Sequence, residues 1–232
     1  VPWEILPKTI EQHLFDAIVD VPGIQEEFDL LETITHPHKL FQSQLQLIQR
    51  AWTVESALEK WSELVRQESS PSQYWPEFSL VNNPADDPQL GKVFPIAYRF
   101  ANIRTAQMYL YYWASKILLH RTLRLTYKAL REQVNVCTAG KGPSATDFDN
   151  TSYDCYSLAE KEASWEDGYC GKPSCVMAFL PRCPDSSTLW ENACNIAQSM
   201  EYCMSDEMGL LGSQLVVSLS VLSASTSTCC NY

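Results

Sequence analysis

Cysteine is missing from the first 136 residues of this 232-residue chain, and no Cys-x2-Cys pair occurs anywhere in it. A secreted disulfide framework staples a whole small domain, so this lopsided distribution argues for a reduced, intracellular protein. Glycine is also scarce: eight residues, scattered, build neither G-x-G-x-x-G, nor G-x-x-x-x-G-K-[ST], nor G-x-S-x-G. Without such loops, dinucleotide, phosphate-cradle and nucleophile-elbow chemistries lose their sequence basis. No apolar run reaches the roughly 18 residues of a membrane span, and Val1 is not followed by a segment of signal type. A chain that starts at Val1, without an initiator Met, is read as a piece cut from a longer protein.

Basic residues are outnumbered, 17 Lys and Arg against 28 Asp and Glu, for a net charge of −11. The imbalance is uneven: residues 1–89 carry −10, residues 90–132 carry +7, and residues 133–232 carry −8. A basic helix complemented by acidic neighbours explains that pattern better than a nucleic-acid surface, so direct DNA binding is not expected.

Strand-like alternation is nearly absent, whereas apolar residues recur at helical spacing, which predicts an all-α protein. A short helix is read in "TIEQHLFDAIVDVPGI", with Leu14, Phe15, Ile18 and Val19 on one side and a halt before Pro22-Gly23. Beyond Pro37 the buried side is Leu40, Phe41, Leu45, Ile48, Trp52, Leu58, Trp61 and Val65, as one helix or as two with Thr53 capping the second. Residues 69–89, with prolines at 71, 76, 84 and 88, read as a connector. Its Tyr74, Trp75 and Phe78 are expected to pack down on the helices.

The longest periodic segment runs from about Val93 to Arg131, and "MYLYYWASKILL" within it is apolar nearly all round. A helix apolar on every side is buried on every side, so this is the expected central element of an irregular helical bundle. Its end is amphipathic, Arg121, Arg124, Lys128 and Arg131 lying opposite Leu119, Leu123, Tyr127 and Leu130. Residues 133–186 form a long Cys-rich loop or insertion between helical cores at 37–132 and 187–228 of a single domain. There Cys170, Cys175 and Cys183 leave a bridge or metal clip open. Thr188 and Glu191 have capping-box spacing at the start of a helix whose buried face is Leu189, Ala193, Ile196, Ala197, Met200, Cys203 and Met204. On that helix Cys194 and Cys203 stand about 13.5 Å apart along the axis, on opposite sides, and cannot bond. After Gly209 and Gly212, "SQLVVSLSVLSAS" begins a further helix.

Candidate chemistry is sparse. Asp86-Asp87 invites comparison with the diphosphate-binding carboxylates of terpene synthases, a metal-dependent all-α class. A third acidic ligand is missing, however, and Pro84 and Pro88 favour turn residues. "HPHK" at 36–39 suits a helix start better than a pair of catalytic imidazoles. What remains is an interior rich in aromatic rings and sulfur. Tyr109, Tyr112 and Trp113, with Lys116 on the same helical side, and Met200 and Met204 on another helix are candidates to enclose an apolar ligand, with ordinary core packing as the alternative.

The stretch "MYLYYWASKILLHRTL", followed after a variable segment by "LWENACNIAQSMEYCMSDEMGLLG", resembles the regulatory region of fungal zinc binuclear cluster transcription factors. The resemblance rests on Tyr112-Trp113, on the I-x-x-S-x-x-Y pattern of Ile196, Ser199 and Tyr202, and on the turn from Gly209 to Gly212. It spans roughly residues 37–222. It implies a non-catalytic, all-helical effector domain in a nuclear protein, controlled by an apolar small molecule or partner proteins such as transcriptional coregulators, and homodimeric. Zinc belongs, on this resemblance, only to an N-terminal DNA-binding cluster that this chain lacks, so no cofactor is expected here.

Overall fold

The structure, a computed structural model, describes residues 7–68, 73–139, 180–212 and 214. It is mostly helical: α1 (Ile10–Ile18), α2 (Val21–Leu31), α3 (Pro37–Glu68), α4 (Ile103–Ala139) and α5 (Ser186–Cys203), with a short 3₁₀ helix at Asp206–Met208. Strands β1 (Tyr74–Phe78) and β2 (Ile96–Phe100) pair antiparallel, Tyr74 opposite Phe100 and Phe78 opposite Ile96. The chain divides into two compact units, Val1–Leu123 with Pro184–Tyr232, and Arg124–Cys183.

Helix α1 starts on a capping box: Gln12 N donates to Thr9 Oγ1 and Thr9 N to Gln12 Oε1, satisfying two donors that a helix end otherwise leaves open. Helix α1 stops at Ile18, before Pro22-Gly23 as expected, but Pro22-Gly23 lie in a second helix and not in a turn. Two residues separate α1 from α2, and Pro22 falls in the first turn of α2, where a missing N–H costs nothing. Gly23 leaves room for the Arg50 guanidinium, which pairs with Asp20 and Glu27.

Helix α3 is continuous. Thr53, a candidate cap for a second segment, instead donates its hydroxyl to Gln49 O one turn back. Its buried side includes Leu47, Ile48, Ala51, Leu58, Trp61 and Val65. Trp61 Nε1 donates to Ile10 O at 2.9 Å, tying α3 to the first turn of α1.

The largest departure from the periodicity lies between α3 and α4. Residues read as connector and as the start of the central helix form the two strands, and α4 begins at Ile103 rather than near Val93. Pro95 ends any helix in that stretch, and Tyr98 and Phe100 alternate with Ala97 and Arg99 in a half-buried strand. Asn102 then caps α4, accepting from Thr105 N at 2.9 Å. Of the aromatics expected to pack down, Tyr74 does, whereas Trp75 and Phe78 are exposed.

From Thr105 to Tyr127 no side chain of α4 is exposed. The amphipathic end is also present: Leu119, Leu123, Tyr127 and Leu130 are buried, and Lys128 and Arg131 are exposed. Helix α4 continues to Ala139, into the stretch read as loop. In the unit formed by Arg124–Cys183, the Tyr127 hydroxyl donates to Pro181 O at 2.7 Å. Most of the Cys-rich stretch, with Cys170 and Cys175, and the helix read after Gly212 lie outside the described residues.

Helix α5 begins one turn earlier than the Thr188 capping box, on Asp185, which accepts from Ser187 N. Its buried residues are Asn192, Ser199, Tyr202 and Cys203, whereas Ala193 and Met204 face outward. Cys203, Ile196 and Met200 of the expected face do pack on the core, and hydrophobicity leaves out the small polar groups that share it, Asn192 and Ser199 each donating back to a carbonyl four residues earlier.

Candidate effector site

Three neighbouring positions on α4 define the site, because residues three and four apart share a helical side. Trp113, 3% exposed, is its centre. Tyr109 lies one turn before it, with ring centroids 5.5 Å apart. Tyr74 from β1 stands edge-on to Trp113 at 5.8 Å and 89°, and to Tyr109 at 4.7 Å. Tyr98 and Phe100 from β2 meet Trp113 at 6.2 and 6.5 Å, and Tyr202 from α5 meets Phe100 at 5.3 Å. Trp61 from α3 covers Tyr112 at 5.1 Å. Edge-to-face and offset arrangements at these spacings are the favoured ones for quadrupolar rings.

Of the residues singled out from sequence, Tyr109, Tyr112, Trp113 and Met200 belong to this cluster. Met204 does not: it follows α5 as its C-cap and is 59% exposed. The strand residues Tyr98 and Phe100 were not selected from sequence, although their i, i+2 spacing in "AYRF" carried the signal.

Burial raises the phenols above the ordinary tyrosine range, Tyr109 to about 12. Tyr112 is raised by burial and partly relieved by the nearby Lys116 ammonium. Tyr98 spends its hydroxyl on Asn195 Oδ1 at 3.2 Å.

One turn along α4 from Tyr112 lies a buried charged group. Lys116 Nζ is 2.8 Å from Glu55 Oε1, also pairs with Glu59, and sits 5.6 Å from the Tyr112 ring centre. His120 Nε2 stands 3.0 Å from the same Glu55 oxygen. Burial acts to raise Glu55, but His120 and Lys116 outweigh it and hold the carboxyl below its ordinary value. Burial likewise acts to lower Lys116, and the two glutamates overcome it and raise the ammonium instead. Such a lysine stays protonated and serves as a fixed charge, not as a base or nucleophile. Glu55 Oε2 and His120 Nδ1 are buried without a hydrogen-bond partner among the described residues.

The other candidates have structural work. Asp86 accepts from Asn83 N and Val93 N, and Asp87 from Gln89 N and Leu90 N, so both carboxylates clasp their own loop. His36 and His38 are exposed on either side of Pro37, where α3 starts. Cys194 and Cys203 are free thiols. Among the described residues no three His, Cys, Asp or Glu side chains gather as a metal site, and no helix is long and apolar enough to cross a membrane.

The chain matches no protein-family model, no curated protein and no solved structure.

Proposed function

We propose that this chain is the regulatory domain of a nuclear transcription factor of the fungal zinc binuclear cluster type, a bundle of helices around α4 that responds to an apolar effector. In this reading it is non-catalytic and homodimeric, acts through coregulators, and leaves DNA to a zinc cluster outside this chain. One observation carries it: rings from both strands and from α4 surround Trp113, with Trp61 of α3 against Tyr109 and Tyr112 and Tyr202 of α5 against Phe100, while Tyr74, Tyr98, Tyr109, Tyr112 and Met200 at the margin are only half-buried. An apolar molecule that slips between marginal rings exchanges ring–ring contact for ligand contact and gains the area still open to water.

Thermal unfolding in the presence of lipids, sterols and aromatic metabolites, with and without Mg²⁺, tests the proposal. A ligand that raises the midpoint in the parent but not in Tyr109→Ala, with no need of metal, supports it. Metal-dependent release of diphosphate from an isoprenoid substrate overturns it.

A further inference from the structure

The end of β1, the residues that follow it and the end of α5 carry further exposed apolar side chains beyond the aromatic cluster. Phe78 and Leu80 are 80% and 79% exposed, Val81 is exposed beside them, and Met204 projects from the end of α5. Leu80 and Met204 are linked through Glu201. Leu80 N lies 3.2 Å from both carboxylate oxygens of Glu201, and Met204 is three residues further along the same side of that helix.

The surface is braced. Lys92 Nζ donates to Ser79 O and Val81 O, each at 2.8 Å, and Ser79 N donates to Pro95 O at 2.9 Å. Arg99 joins the strands to α5 by pairing with Glu77 at 3.2 Å and Glu201 at 3.1 Å. On this braced segment Phe78, Leu80 and Val81 are exposed, and a contiguous apolar patch of that kind marks an interaction surface.

Charge and edge geometry select the occupant. Of the cations beside the patch, Arg99 is matched by Glu77 and Glu201, and the Lys92 ammonium, held on the Ser79 and Val81 carbonyls, is matched by the nearby Asp86 carboxylate. Asp206 and Glu207, just past Met204, are exposed with no basic partner among the described residues. An apolar centre with an acidic margin repels an anionic lipid surface and complements a cationic one. An added strand is disfavoured as well. Gln73 O and Ser79 N bond across to β2, so the even positions of β1 face its open edge, and there Pro76 has no N–H to offer.

We propose that this patch docks an amphipathic helix of another protein, apolar on one face and flanked by Lys or Arg. The inference stands on the outer surface and holds whether or not the aromatic cluster takes an effector.

A fluorescein-labelled Leu/Lys amphipathic helical peptide, titrated against the whole chain in an anisotropy assay, is the test. Saturable one-to-one binding is expected. The double variant Leu80→Ser/Met204→Ser, whose thermal midpoint should equal that of the parent because both side chains are exposed, should weaken it by about tenfold or more. Leu30→Ser, at another exposed apolar position, on α2, should leave it unchanged. The proposal fails if the peptide does not bind, if the double variant binds as the parent does, or if a Leu/Glu peptide binds equally well. It also fails if phosphatidylcholine vesicles, rather than the peptide, capture the protein through Leu80 and Met204.

Discussion

Trp113 meets rings from both strands and from its own helix, so its removal leaves a hole that no single neighbour can refill. Trp113→Ala should cost about 3–5 kcal/mol in urea-unfolding free energy. Loss of under 1 kcal/mol would mean that the ring contributes little packing. Two glycines after α5 are constrained in a different way. Gly209 adopts φ +52°, ψ −140°, a conformation that side chains resist. A Cβ at Gly212 would fall 1.8 Å from the Cys203 carbonyl oxygen, so backbone would have to move. Gly212→Ala should therefore lower stability by about 1–3 kcal/mol, read as a drop in thermal midpoint, although it adds a single methyl group.

At the scale of elements, α3 and α4 are cross-linked by charge inside an otherwise apolar contact. Lys116 reaches Glu55 and Glu59, and His120 reaches Glu55, from successive turns of the two helices. Lys116→Met would keep the volume and leave Glu55 buried without its ammonium, a loss of about 3–5 kcal/mol by equilibrium unfolding. The paired replacement Glu55→Leu/Lys116→Met should recover most of that, because it removes the stranded charge. If the single and double variants are equally unstable, the cost lies in shape and not in charge. The strand pair is held in another way, Arg99 and Leu80 N both fastening it to Glu201.

For the whole molecule, stability should fall at both ends of the pH scale. Glu55 and Glu201 titrate below their ordinary values in the folded chain. Their contribution is complete above the unfolded carboxylate value of 4.5 and is lost as pH falls through the lowered folded values. Glu55→Gln should flatten this acid limb in urea midpoints measured against pH. In the opposite direction, burial raises the Cys203 thiol from 9.0 to about 11. The folded chain then holds a proton that the unfolded chain releases, so stability is complete below pH 9 and lost as pH rises through about 11. Cys203→Ala should make that alkaline limb shallower; an unchanged slope would show that the thiol is open to water.

Helical periodicity located the all-round burial of α4 and part of the core of α3, Ile48, Leu58, Trp61 and Val65, whereas Leu40, Phe41, Leu45 and Trp52 are only half-buried. It also placed Tyr109, Tyr112 and Trp113 together, since their spacing alone puts them on one side. Local sequence was ambiguous where the hydrophobic signal was short: the five-residue strands, the start of α2 at Val21, and the first turn of α5. Five residues cannot distinguish a strand from a buried helical turn by period, and the partner strand 22 residues away settles the matter. Tertiary structure alone decided that Asn192 and Ser199 join the inward face of α5 and how Glu55, Lys116 and His120 meet. Those outcomes depend on contacts between residues far apart in the chain, and a local pattern carries no information about what will stand opposite it.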